Sequence, residues 1–496
     1  EEASPQAYQA PSILSKSVQT STNNAFRSAL NNRDDSGIRA FTPAEMDSVD
    51  GYSPVFTSMS FLPVLRLDKY VSRKRRRTDV RIKDRTRAET LWRNTKLGFY
   101  TATREVLGGL SFFGGVLIGP GSGEANSFGD FLSPSSLLDL ERDVFIQVDY
   151  ARGLPFINKR WAPQFSAQLF NVRRNVENGL SIEEFPCTSC YPDTTLADLA
   201  YNLWEVDLMA KSKIARWLML DAGYRYSPYR VTTKRFFSKE LNQGIPPSSS
   251  RYYIGRAFHS RLIFESYFSH RDMNVVPHGL RAELSVERET GRLLNRFDLE
   301  DGVLSPVYEE STVRRVSFSA KGGMKLGGWP GKGIHGVNFR MRASTILGAE
   351  KDDFHNDYVG GLTGARGYPF YALGGNETLW LQAGYTFPIF PRIKKQFLFT
   401  YIDKMYLKLY GDAAWAWSGS WPGMTNARKD VGAEVRFGLG SYYLLPTALF
   451  ISATYGLDAF DFQLDEGFVT PDGATSVRYG ESWQWHLGIL FDFDQL

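Results

Sequence analysis

The chain has two cysteines, Cys187 and Cys190, and six histidines in 496 residues. Two cysteines cannot staple a chain of this length, although they fit a disulfide-permissive compartment. The histidines (His259, His270, His278, His335, His355 and His486) show neither zinc nor triad spacing. His355 alone has close acidic neighbours, Asp352 and Asp353. The sequence therefore offers no catalytic set, no metal site and no cofactor motif. The net charge of +4 is too small to argue for nucleic acid. Helical membrane spans are also missing. The best charge-free run, Val106 to Gly123, holds seven glycines and a proline, and reads as a turn followed by a strand. Neither an initiator methionine nor a signal peptide opens the sequence, which reads as a mature or processed form.

What is present is aromatic and glycine-rich: 14% Phe, Trp and Tyr, with 45 glycines. A chain of this length exceeds an ordinary single soluble core, yet no linker or change of texture divides it after about residue 57. Residues 1–57 are rich in Ser, Asn, Thr, Gln and Ala, and read as a periplasmic lead-in, partly irregular, with a lumen plug as the alternative. From Ser58 the pattern alternates at period two. In Lys404–Trp417, Met405, Leu407, Leu409, Ala413, Trp415 and Trp417 share one face, and Lys404, Tyr406, Lys408, Tyr410 and Asp412 the other. Leu280–Glu287 and Val337–Ser344 repeat the pattern. A mean hydropathy of −0.30 is compatible with a barrel, since half of each strand faces a polar lumen.

The pattern supplies sixteen strands between residues 58 and 494, with connections that alternate long and short. The long ones include 70–93, 176–196, 292–313 and 350–376, and the short ones 106–109 and 212–215. Long outer loops and short periplasmic turns are the arrangement of bacterial outer-membrane barrels. The expected fold is thus all-β, a sixteen-stranded antiparallel transmembrane β-barrel over residues 58–496 behind the short N-terminal segment. Its expected place is the outer membrane of a Gram-negative bacterium, with the C-terminus in the periplasm. Tyr224, Tyr226, Trp415, Trp417 and Trp483 near strand ends suit the water–lipid boundaries.

The connection Gly360–Asn376 reads GGLTGARGYPFYALGGN. With Ala365-Arg366-Gly367-Tyr368 and Gly374-Gly375-Asn376, it resembles loop 6 of the BamA-type superfamily, which holds assembly factors, two-partner secretion transporters and chloroplast import channels. Phe387-Pro388, closing the next strand, and Asp412 in the strand after it are similar to further family motifs. The last strand, Trp483–Phe491, resembles the C-terminal assembly signal, carried by Trp483, Trp485 and Phe491. The resemblance implies that Arg366 is folded into the lumen. Asp412 points there on strand facing, so the two are expected to pair through a charge-assisted bond. Gly367 lets the backbone turn where a side chain would clash. The alternative is an exposed loop arginine. The family's type member also offers a strand-12 glutamate, where this chain has Gly384. Five residues follow Phe491, beyond the usual terminal aromatic.

Nine of the fifteen residues from Arg73 to Arg87 are basic, which fits lipopolysaccharide phosphates, an acidic partner or a solvated loop. Cys187 and Cys190 read as a local disulfide or two idle thiols. Pro63 in the first strand and Gly488 in the last mark the closing seam as the weakest pairing. The resemblance implies a barrel that inserts or translocates polypeptides. An anchor, export conduit or scaffold for a periplasmic or surface protein is the alternative, and a diffusion porin ranks lower. Outer-membrane lipids and lipopolysaccharide are the expected surroundings.

Overall fold

The computed structural model describes residues 55–491 apart from 57–58, 68–74, 77–91, 94, 121–139, 152–162, 186–192, 241, 271, 274, 301–302, 330–332, 349–354, 398–399, 442–445, 465–467 and 470–473. The N-terminal lead-in, Cys187 and Cys190, and most of the basic stretch 73–87 lie outside the described residues.

Sixteen antiparallel strands form a nearly closed barrel. They are β1 (Ser60–Leu67), β2 (Thr95–Arg104), β3 (Leu110–Gly119), β4 (Glu141–Tyr150), β5 (Gln164–Phe185), β6 (Asp193–Ala215), β7 (Leu218–Thr233) and β8 (Ser248–Tyr267). The second half is β9 (Gly279–Glu300), β10 (Val303–Trp329), β11 (Gly333–Leu347), β12 (Glu377–Phe390), β13 (Thr400–Trp417), β14 (Arg428–Ser441), β15 (Pro446–Gly456) and β16 (Trp483–Phe491). Fifteen ladders join each strand to the next in chain order. Among the described residues no ladder joins β1 to β16.

Alternation sorts the wall into two surfaces. Leu208, Phe258, Leu284 and Leu409 point outward and are exposed, whereas Asp207, His259, Lys408 and Asp412 point inward and are buried. Inward charges pair across strands: His259 with Asp207 at 2.8 Å, Arg261 with Asp221 at 3.0 Å, and Glu287 with both Arg225 and Arg315. A greasy exterior around a paired, polar interior is stable only where hydrocarbon is the outer solvent, and the ladders satisfy the backbone there. The chain is a transmembrane barrel.

Two expected loops are strand instead. The stretches 176–196 and 292–313 lie largely within β5–β6 and β9–β10, so these hairpins continue past the neighbouring strands. Polar and charged residues are tolerated on a ribbon that leaves the membrane. Between β9 and β10 stand Asp301 and Gly302, the dipeptide that most favours a two-residue hairpin turn.

Candidate functional site

The connection from β11 to β12 does not stand off into solvent. It folds back against the inner wall, and Val359, Ala365, Tyr368 and Leu373 are buried with Trp380 of β12 and Ala414 of β13. Its backbone is tied to itself: Ala365 N–H donates to Val359 O at 2.8 Å, Gly361 N–H to Tyr368 O at 2.9 Å, and Val359 N–H to Leu373 O at 2.9 Å. The paired glycines before β12 have a packing reason. A Cβ on Gly375 would meet Trp417 O at 2.4 Å, and one on Gly374 the Tyr358 ring at 2.4 Å. Asn376 then delivers its carbonyl to Ile346 N–H at 2.9 Å, and β12 begins.

Arg366 reaches the inner wall as the motif implies, but its partner is not Asp412. Its guanidinium donates to Glu434 on β14 at 2.5 Å, with the two side chains 8% and 1% exposed. The guanidinium also lies over the Tyr410 ring, 5.0 Å from its centroid. Asp412 is held instead by Gln382 Nε2 at 2.8 Å, and Lys408 Nζ donates to Gln382 Oε1 at 2.6 Å. The reason lies in the register. Asp412 stands opposite Asp430, and Glu434 lies four residues further along β14, where it also accepts from Arg436 at 2.5 Å. Gly384 explains the missing strand-12 carboxylate: a Cβ there would meet Lys408 Cε at 2.8 Å, so the lysine occupies that space.

The next two motif residues dock the loop on the wall. Gly367 N–H donates to Asp430 Oδ2 at 2.7 Å, and a Cβ on Gly367 would come within 2.7 Å of Asp430 Cβ and 2.9 Å of Gly456 Cα. Glycine is therefore required for close approach. The Tyr368 hydroxyl donates to Lys429 O at 2.9 Å and accepts from Asp458 N–H at 3.1 Å. Burial pushes its phenol up to about 12, so it remains a donor.

The loop's other end is held by β10 and β11. Arg315 meets Asp357 at 3.3 Å and donates to His355 O at 3.1 Å, and Arg342 donates to Tyr358 O at 3.0 Å. His355 is buried, and its acidic sequence neighbours Asp352 and Asp353 lie outside the described residues.

A second inward element comes from the opposite end of the barrel. The connection 268–278 between β8 and β9 buries Val275 and Val276 against Tyr406 of β13, with Ile334 of β11 beside them. Asp272 accepts from Lys404 Nζ at 2.7 Å. Along β13, Lys404 and Tyr406 are thus covered by this connection, while Tyr410 and Ala414 are covered by the Arg366 loop. The sequence marks it by two consecutive valines, Val275 and Val276, after the mostly polar stretch Ser269–Asn274.

The remaining motif residues are on the seam strands. Pro63 stands in register with Phe99 of β2 and is exposed. Trp483 and Trp485 point outward and are 60% and 62% exposed, and Phe491 pairs with Thr447. Gly488 points inward, where a Cβ would meet the Phe450 ring at 2.7 Å. It makes room for Phe450, which is buried 5.9 Å beneath the Arg366 guanidinium. Close packing accounts for this glycine. Trp415 is covered by the connection after β13, since its indole N–H donates to Gly423 O at 3.3 Å and its ring lies 5.9 Å from Trp421.

The chain resembles BamA-type barrels. It is similar to the structure of BamA from Haemophilus ducreyi lacking POTRA domains 1–3, with 9% identity over 88% of this chain and 71% of that one, and a TM-score of 0.46. It is also similar to CdiB from Acinetobacter baumannii, with 12% identity over 87% of this chain and a TM-score of 0.40, and spans 59% of that protein's length. The RagAB peptide transporter is matched over 80% of this chain and 48% of that one, at 12% identity and a TM-score of 0.33. No protein-family model matches the chain, and no curated protein does.

Proposed function

We propose that this chain is an outer-membrane barrel of the BamA-like superfamily that handles polypeptides, inserting or translocating them at the seam between β1 and β16. The observation that carries the proposal is the Arg366 loop, docked on the inner wall through Glu434, Asp430 and Tyr368. A loop docked there narrows any channel through the barrel, which argues against free diffusion. A barrel whose closing strands separate gains a rigid half-wall, because the loop braces β10 to β15 together. Among the described residues no ladder joins β1 to β16, and a seam so paired can part without breaking a full set of backbone bonds.

Cysteine pairs placed across β1 and β16, with Cys187 and Cys190 changed to serine, test this in cells. A locked seam lowers the level of a set of outer-membrane or surface proteins as far as deletion does, and a reductant restores them. If the locked barrel supports the full complement, polypeptide handling at the seam is wrong. The barrel is then an anchor or scaffold for a partner.

A further inference from the structure

The outward wall of β4 to β10 carries charge where lipid-facing walls usually carry none. Arg142 of β4 stands in register with Ile118 of β3, which pairs with Leu97 of β2 and so with Leu65 of β1, 61% exposed on the outer face. In the other direction the same row runs through Arg173, Asn202 and Arg230 to Arg251 on β8. A second row joins Phe258, 67% exposed and outward, to Arg288 of β9 and Arg314 of β10. Paired residues share a face of the sheet, so all these arginines point outward.

Three of the cross-strand pairs set arginine against arginine: Arg142 with Arg173, Arg230 with Arg251, and Arg288 with Arg314. Like charges directly opposite destabilise a sheet. Among the described residues no carboxylate lies within 4.0 Å of the guanidinium groups of Arg142, Arg230, Arg251, Arg288 or Arg314. Arg142 donates to Asn171 at 2.8 Å, and Glu310 on the same wall is held by Arg292 at 2.7 Å. Beside the Arg230–Arg251 pair is a cleft of about 190 Å³, walled by Asn202, Trp204 and Pro228.

The position of the pairs matches a headgroup layer. Arg173 and Arg288 stand nine residues along their strands from Gln164 and Gly279. At about 3.3 Å per residue and a tilt of about 40°, that is about 23 Å above the turn end, close to the roughly 25 Å height of a barrel's apolar band. Below them the wall is aliphatic, with Leu208, Leu220, Leu262 and Leu284 exposed, and Tyr224 against Phe258 lies between.

We propose that this wall binds a phosphorylated lipid of the leaflet at the loop end. The Arg230–Arg251 and Arg288–Arg314 pairs each bracket a phosphate through charge-assisted, bidentate bonds, and the acyl chains lie on the leucines below. The phosphate relieves the repulsion within each pair, so the charges that cost stability in bare hydrocarbon become the recognition element.

The purified barrel in detergent is titrated with bisphosphorylated lipid A, with its dephosphorylated form, and with phosphatidylethanolamine. Lipid A binds most tightly, and removing its phosphates weakens binding at least tenfold. Arg230→Gln/Arg251→Gln and Arg288→Gln/Arg314→Gln each weaken lipid A binding about tenfold or more, given about a factor of five per interfacial arginine, and leave the heat-dependent gel shift of a folded barrel in place. Should a variant not fold, the comparison of phosphorylated and dephosphorylated lipid on the unaltered barrel still decides. Equal affinity for the two forms, or four substitutions without effect on a folded barrel, overturns the proposal.

Discussion

Substituting Glu434 should release the Arg366 loop, and substituting Asp412 should not. Removing one partner of a buried ion pair costs about 3–5 kcal/mol, because the other charge is left without its partner. Glu434 is 1% exposed on its side chain and serves two arginines, Arg366 and Arg436. The lumen admits some water to a freed guanidinium, so the lower bound applies, about 3 kcal/mol. That is roughly a 150-fold shift toward the undocked loop. Glu434→Gln should reach most of it, and Arg366→Ala should match it, losing in addition the contact with the Tyr410 ring, worth about 1 kcal/mol. Asp412→Asn keeps an acceptor for Gln382 Nε2 and should cost about 1 kcal/mol or less. Hydrogen exchange across residues 359–373 reports docking directly, and mobility on unboiled gels reports the barrel. Fast exchange is expected in Glu434→Gln and Arg366→Ala, with slow exchange in Asp412→Asn. The reverse order, with Asp412→Asn freeing the loop and Glu434→Gln leaving it docked, would refute the assigned pairing.

Gly367→Ala should undock the same loop without touching any charge, since its methyl would sit 2.7 Å from Asp430 Cβ. Wild-type exchange rates in that variant would mean the close approach is not needed. Lys404→Met or Asp272→Asn should open the connection 268–278, raising trypsin cleavage at Arg271 while the gel shift persists. An unchanged digestion pattern would show that Val275 and Val276 hold the connection without the ion pair. Changing both Cys187 and Cys190 to serine should leave assembly unaffected, because a bond between residues so close in sequence constrains little of the unfolded chain; loss of folded barrel on gels would contradict this.

The strands were legible because a lipid-facing wall enforces a strict period of two, and that period survives in short stretches such as Lys404–Trp417. Loop 6 was legible as a motif, but the partner of its arginine was not. Asp412 and Glu434 are both inward carboxylates on neighbouring strands, and only the register and the depth of the loop choose between them. What Gly488 packs against was not legible for a similar reason: its neighbour, Phe450, comes from β15, and sequence spacing does not show which side chain fills a glycine's space. The connection 268–278 escaped notice because turns are expected to be solvated, and its partner Lys404 lies 132 residues away from Asp272.

That separation bears on the order in which the barrel forms. The valines of 268–278 have no apolar surface to cover until Tyr406 of β13 is in place, and Arg366 has no carboxylate until β14 arrives. Hairpins such as β5–β6 and β9–β10 can pair locally and early, whereas both inward elements await strands made much later, which makes them slow. Each must also be seated before the wall encircles it, because a finished barrel leaves little room to thread a loop through. The last gap to close would then be the one that borders this filled part of the wall, between the first strand and the last.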